Sequence, residues 1–489
     1  MTPASLLLAA LLVPIAGAGL ILLAARHPNL REAVTLATAA ALFGCVAALV
    51  PDVLAGARPS LVLAQILPGL TLTLTLEPLG MLFAALAALL WIVNSVYSIG
   101  YMRANREAHQ TRFYFYFAVA LSATMGVALA GNLLTLFVFY EILTLSTYPL
   151  VTHKGTPEAM RGGRVYLGLL LSTSIGFLLV AIVWTWQLAG TLDFVAGGIL
   201  AGQAGPGVIA VLFMLYAFGI GKAALMPLHR WLPAAMVAPT PVSALLHAVA
   251  VVKAGVFTLL KVVIYVFGTD TLQANAGADT ILYVAGATVV IASIVALRED
   301  NLKRRLAYST VSQLSYVVLA AVLLAPLSLV GAALHIAAHA FGKITLFFAA
   351  GAIYTASHKS RVSELAGIGR RMPWTMGAFA AGALSMIGVP PTAGFVSKWY
   401  ILLAAMDGRQ TFAVLVLVAS TLLSAAYYLP IVYAAFFEES TRGHGRAPHG
   451  EAPLPVIAAT VTCGACAVLF FWFPELPLAL AAALPADGR

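Results

Sequence analysis

The chain has 489 residues, of which 62% are apolar and only 9% are Asp, Glu, Lys or Arg. An ordinary soluble domain is about 25% charged, so a soluble fold of this size is excluded for want of polar surface. The net charge of +9 would point to nucleic acid in a soluble chain; in a membrane chain it is first a question of which loops carry it.

Met1-Thr2-Pro3-Ala4 leads straight into an apolar run with no basic residue before it, so no cleaved signal peptide is expected. A membrane helix needs about 20 mostly apolar residues. Fourteen such windows occur, at 4–25, 32–51, 78–100, 113–130, 132–151, 165–187, 206–227, 241–267, 280–297, 304–324, 327–354, 374–405, 411–437 and 453–473. The expected fold class is therefore all-α, a polytopic membrane protein of about 14 transmembrane helices. Between the second and third windows, Leu70-Thr71-Leu72-Thr73-Leu74-Thr75-Leu76 alternates with a period of two after the turn signal Pro68-Gly69. That pattern predicts a half-buried strand in a small hairpin outside the membrane.

Two windows are interrupted by proline. The seventh runs into Pro227, Pro233, Pro239 and Pro241, and the twelfth contains Gly388-Val389-Pro390-Pro391-Thr392-Ala393-Gly394. Proline removes a backbone donor and clashes with the preceding turn. Such breaks survive in a membrane only where the freed groups face protein or water, and paired broken helices mark a transport path. The longest polar stretch, Glu438 to Glu451, is too short to fold alone. Cys463 and Cys466 have CxxC spacing but lie in an apolar run; with Cys45 they are too few for an ordinary iron–sulfur cluster.

Loop charge sets the orientation. Lys and Arg in the loops after odd-numbered windows total 19, whereas the even-numbered side holds only Arg58, Arg409 and Arg489. By the positive-inside rule the odd loops are cytoplasmic and both termini lie outside. Away from the window ends, six Lys and Glu residues remain inside: Glu141, Lys222, Lys253, Lys261, Lys343 and Lys398. Each costs about 2.5–3.5 kcal/mol at a helix centre even on the lenient insertion scale. His335, His339 and Lys343 are spaced by four and share one helix face. Burial disfavours a charged lysine and a nearby carboxylate restores it, while histidine bridges such gaps with a pKa near neutrality. The pattern reads as a lateral chain of titratable groups. Lys261, close to a helix end, is expected to snorkel to the interface. For His247 a hydrogen-bonded core role and a relay role both stand open.

Other chemistry finds no support. Gly219-Ile220-Gly221-Lys222 lacks the spacing and the following Ser or Thr of a phosphate loop. His335 and His339 have zinc-like spacing without a third ligand, and no GxGxxG follows a predicted strand. No cofactor, metal or nucleic acid is expected.

The residues carrying these charges resemble the antiporter-like subunits shared by respiratory complex I, membrane-bound hydrogenases and Mrp cation/proton antiporters. The matching stretches are Tyr140-Glu141-Ile142-Leu143-Thr144, Gly221-Lys222-Ala223-Ala224, Pro227-Leu228-His229-Arg230-Trp231-Leu232-Pro233 and Ala238-Pro239-Thr240-Pro241-Val242-Ser243. They continue with Val252-Lys253-Ala254-Gly255, Asp300-Asn301-Leu302-Lys303-Arg304-Arg305, His339-Ala340-Phe341-Gly342-Lys343 and Pro390-Pro391-Thr392-Ala393-Gly394-Phe395-Val396-Ser397-Lys398. The resemblance implies two inverted five-helix repeats, windows 4–8 and 9–13, each with a broken helix (windows 7 and 12). It divides the chain into 1–110, 111–267, 268–437 and 438–489. It also implies that Glu141 and Lys222 form a switching ion pair, that Lys253 connects the halves, that His335, His339 and Lys343 relay the proton, and that Lys398 is the terminal exchange site. The D-type component of Mrp antiporters is the form most resembled; a complex I or hydrogenase membrane arm is the alternative. Either implies a bacterial or archaeal cell membrane, other membrane subunits as partners, and protons, with Na+ for the antiporter, as cargo.

Overall fold

The computed structural model describes residues 2–245, 250–439 and 450–484. His247, Arg442, Arg446, Arg489 and most of the Glu438–Glu451 stretch lie outside the described residues. The chain begins with α1 (Pro3–Leu23), α2 (Pro28–Ala47) and the short α3 (Val50–Leu54), followed by β1 (Ser60–Leu67) and β2 (Leu70–Thr75). Next come α4 (Pro78–Ala104), α5 (Gln110–Ala128), α6 (Leu133–Val151), α7 (Pro157–Thr173) and α8 (Val180–Ala189). A π turn, Ser174–Leu179, joins the last two without a break. The middle of the chain holds α9 (Pro206–Gly219), α10 (Trp231–Ala234), α11 (Thr240–Leu245) and α12 (Val251–Lys261), the last running into a second π turn, Val262–Phe267. After α13 (Thr269–Gln273) come α14 (Ala276–Arg298), α15 (Leu302–Val322) and α16 (Pro326–Ser357). The chain continues with α17 (Pro373–Ile387), α18 (Ala393–Asp407), α19 (Thr411–Phe437), α20 (Leu454–Trp472) and α21 (Glu475–Ala482).

The helix starts are written locally. Proline opens α1, α2, α4, α7, α9, α16 and α17, where its missing donor costs nothing and its fixed φ suits the first turn. Asn132, Thr156 and Asn301 accept from the backbone N–H three residues on, satisfying donors the helix leaves free. Among the described residues nine helical stretches are long and apolar enough to cross a membrane. The protein is mostly helical and membrane-embedded. In α16 the apolar window is wholly buried, whereas in the α7–α8 stretch only 33% is. So α16 is the central post, packed on α15, α17, α18, α20 and α4, and α7–α8 lies at the periphery.

The predicted strand is β2. It pairs antiparallel with β1, Ser60 opposite Thr75 and Leu67 opposite Leu70. The hairpin is stitched to the bundle: Thr75 N–H donates to the Leu129 carbonyl at 2.7 Å, Gly131 N–H to the Thr73 carbonyl at 2.8 Å, and Thr73 N–H to Thr135 Oγ1 at 2.8 Å.

The twelfth window breaks where its prolines lie, between Ile387 and Ala393. The seventh does not. There α9 stops at Gly219, eight residues ahead of Pro227, so Lys222 stands within the break. The packing at the stop is crowded. A Cβ on Gly219 would come 2.5 Å from the Leu178 backbone nitrogen, and one on Gly221 would come 2.2 Å from Thr173 Oγ1. The broken segment is pressed against α7 and its π turn, and only glycine allows that approach.

Candidate functional site

Lys222 sits in a single 3₁₀ turn, Gly221–Ala223, fully buried. Its Nζ donates to the Tyr140 carbonyl at 2.9 Å and to Thr144 Oγ1 at 2.5 Å, and lies over the Tyr140 ring. The turn is held by Tyr140 Oη, which accepts from the Lys222 N–H, and by Trp231 Nε1, which donates to the Gly221 carbonyl. From the other side α12 crosses at Gly255, where a Cβ would come 2.3 Å from the Ala223 nitrogen. The lysine therefore has little room to move without moving helices.

The expected ion pair is not closed. Glu141, the residue after Tyr140, has both carboxylate oxygens enclosed, and neither makes a hydrogen bond among the described residues. Lys222 is solvated instead by the carbonyl of Tyr140 and the hydroxyl of Thr144, one turn along the same helix.

Lys253, on α12, is fully buried and reaches α16, its Nζ lying 2.7 Å from His339 Nδ1. With the lysine charged, its ammonium can only donate, so Nδ1 would accept and the neutral ring would carry its proton on Nε2. One turn back on α16, the His335 ring stands 6.1 Å from that of His339. His335 Nδ1 is 2.9 Å from Ser397 Oγ on α18, and its ring stacks on Tyr316 at 5.5 Å. Lys398, one residue on from Ser397, lies 4.8 Å above the same Tyr316 ring. Its Nζ donates to the carbonyls of Met386 at 2.7 Å and Ile387 at 3.0 Å. These carbonyls end α17, so the lysine of the second half-helix caps the negative end of the first. Lys253, His339, His335, Ser397, Tyr316 and Lys398 thus line up across α12, α16, α15 and α18, with the Nε2 atoms of the two histidines unpartnered among the described residues.

Lys343 stands one turn further along α16 and turns aside. Its Nζ donates to the Leu306 carbonyl, to Ser309 Oγ and to Tyr428 Oη, which uses all three donors. No acid partners Lys253, Lys343 or Lys398 among the described residues.

Lys261 departs from expectation. It does not reach the interface; it is 1% exposed, with Nζ 2.9 Å from Glu77 Oε1 and 2.6 Å from the Ala130 carbonyl. The β-hairpin and Phe194 stand over it. Glu77 supplies the counter-charge. Sequence reasoning missed Glu77, because an acid just before Pro78 reads as a loop residue. It also missed Tyr140, Thr144, Tyr316, Ser397 and Tyr428, neutral groups whose role depends on what they face.

A polytopic helical bundle with a row of buried ammonium and imidazole groups on broken and π-turned helices belongs to the antiporter-like, proton-translocating class of membrane subunits. Residues 130–424 match the model of the family described as NADH:quinone oxidoreductase/Mrp antiporter, transmembrane, and the chain belongs to that family. It is 35% identical to the N subunit of the NADH-quinone oxidoreductase of Desulforudis audaxviator over 388 residues, 78% of this chain and 75% of that one. It is 28% identical to the D component of the Na(+)/H(+) antiporter of Alkalihalophilus pseudofirmus over 403 residues, 80% of each. The fold is also similar to a chain in the structure of the Mrp complex from Dietzia sp. DQ12-45-1b, with a TM-score of 0.88, 23% identity and full coverage of both chains.

Proposed function

We propose that the chain is the proton-translocating membrane subunit of a multisubunit monovalent cation (Na+)/proton antiporter of Mrp type. The observation that carries this is the row Lys253–His339–His335–Ser397, hydrogen-bonded at its two ends and with the two imidazole rings 6.1 Å apart between them, with Lys398 beside it across Tyr316. A buried ammonium donating to Nδ1 of a neutral imidazole is poised to pass its proton there, and the ring releases the proton held on Nε2 when a water or the His335 ring comes within hydrogen-bond reach of that atom, which has no partner among the described residues. No redox or hydrolytic group is needed for this, so the driving force enters through partner membrane subunits.

In this reading the chain has fourteen spans, with inverted repeats over windows 4–8 and 9–13 broken at windows 7 and 12. The hairpin side and both termini face outward in a bacterial or archaeal cell membrane, as the loop charge favours. Glu141 acts on Lys222 when helix movement brings carboxylate and ammonium together. Lys343, held by three acceptors, is a side branch filled from His339. A second reading is a redox-driven quinone oxidoreductase or hydrogenase arm, favoured by the 35% identity to the quinone oxidoreductase relative.

One experiment separates the two. The native complex, purified with its partners and placed in vesicles, is expected to acidify or alkalinise the lumen on addition of Na+ without any electron donor. Proton movement that needs a reductant and ignores Na+ would establish the second reading instead.

A further inference from the structure

Lys261 and Glu77 form a buried ion pair outside the lateral row. Both line a cavity of about 550 Å³ bordered by the hairpin. Its walls are mixed: Thr71, Thr73 and Thr75 of β2 line it together with Val62, Ala130 and Phe194, and Arg58 and the exposed Asp193 join the pair as its charged groups. Tyr265 is the other titratable group that faces it. The hairpin is fixed over this space by its hydrogen bonds to Leu129, Gly131 and Thr135, so the opening is part of the fold.

The pair is also placed towards the row. Lys261 and Lys253 share α12, eight residues apart, roughly 12 Å along the axis at 1.5 Å per residue. The π turn Val262–Phe267 begins at the very next residue, and such turns are frequent at functional sites. A purely structural ion pair so desolvated adds little stability, since the cost of dehydrating both charges can exceed their attraction.

We propose that this cavity is the outer proton port of the subunit, with the Lys261–Glu77 pair as its exchange site. The inference rests on the relay reading above. The ammonium gives a proton along Nζ–H···Oε1 to the carboxylate, leaving a neutral amine and a carboxylic acid. The acid then releases that proton to water in the cavity, and the amine is recharged by a proton arriving from the Lys253 side. Run backwards, the same steps admit a proton from outside.

Lys261→Arg is the discriminating variant. Arginine keeps the positive charge and the ion pair but is not deprotonated in proteins, so a structural role is rescued and a proton-exchange role is not. In vesicles holding the native complex, Lys261→Arg is expected to assemble at wild-type content and to lose at least ten-fold in proton transport. Wild-type transport by Lys261→Arg would overturn the port. Lys222→Ala, run in parallel, separates the two ideas: if it blocks transport while Lys261→Arg does not, the port fails and the relay stands. Should Lys261→Arg reduce assembly, Val62→Cys at the exposed rim gives a second test. Labelling it with a membrane-impermeant cationic thiol reagent from the outer face is expected to slow transport several-fold, with the wild-type complex unaffected. Complete labelling without slowing, or slowing only from the inner face, would overturn the proposal.

Discussion

Lys222→Ala is expected to abolish proton-coupled transport while leaving the complex assembled. The ammonium is the only part of the residue that the turn uses for charge; the turn itself is held by main-chain and ring contacts, Tyr140 Oη to the Lys222 N–H and Trp231 to the Gly221 carbonyl. Alanine keeps both. What it removes is a buried cation whose partners are a carbonyl, a hydroxyl and an aromatic face. Losing it also relieves the dehydration cost of an ammonium without a bound carboxylate, so stability should not fall in step with activity. Transport in vesicles, normalised to complex content, is the measurement. Wild-type transport would remove Lys222 from the path.

Glu141→Gln is expected to lower transport at least ten-fold with a melting temperature equal to or above that of the wild-type complex. The carboxylate has both oxygens enclosed and no hydrogen-bond partner among the described residues. Leaving a buried polar group unsatisfied costs about 1–3 kcal/mol, and more when it is charged. A chain that keeps such a group uses it in another arrangement of helices, and closing on Lys222 is the arrangement the neighbouring positions allow. Glutamine fills the same volume without the charge, so it removes the switch while easing the strain of the resting state. A drop in melting temperature together with loss of complex would mark Glu141 as structural instead.

Much of this architecture was legible in the chain, for identifiable reasons. A lone lysine in an apolar run stands out on cost alone, which is why Lys222, Lys253, Lys343 and Lys398 could be singled out. The Leu-Thr alternation marked β2, and Pro390-Pro391 marked the break after α17. The earlier stop at Gly219 was not legible, because glycine is tolerated in helices and the crowding that demands it comes from Leu178 and Thr173, some forty residues upstream. Depth along a helix was legible for Lys261, but not what covers the helix end, so the covering hairpin and Glu77 altered its reading. Tyr316 and Ser397 were illegible for a related reason. Neutral polar residues are common in membrane helices, and only their position between His335 and Lys398 gives them a part.

The central claim is that the contact between Lys253 and His339 carries protons. It is tested most directly by His339→Gln in the native complex reconstituted into vesicles. Glutamine offers an oxygen to accept the Lys253 hydrogen bond and so preserves the packing between α12 and α16, but its amide does not take up and release a proton at accessible pH. His339→Gln is expected to leave complex content normal and to lower proton transport at least ten-fold. Wild-type proton transport by His339→Gln would contradict it.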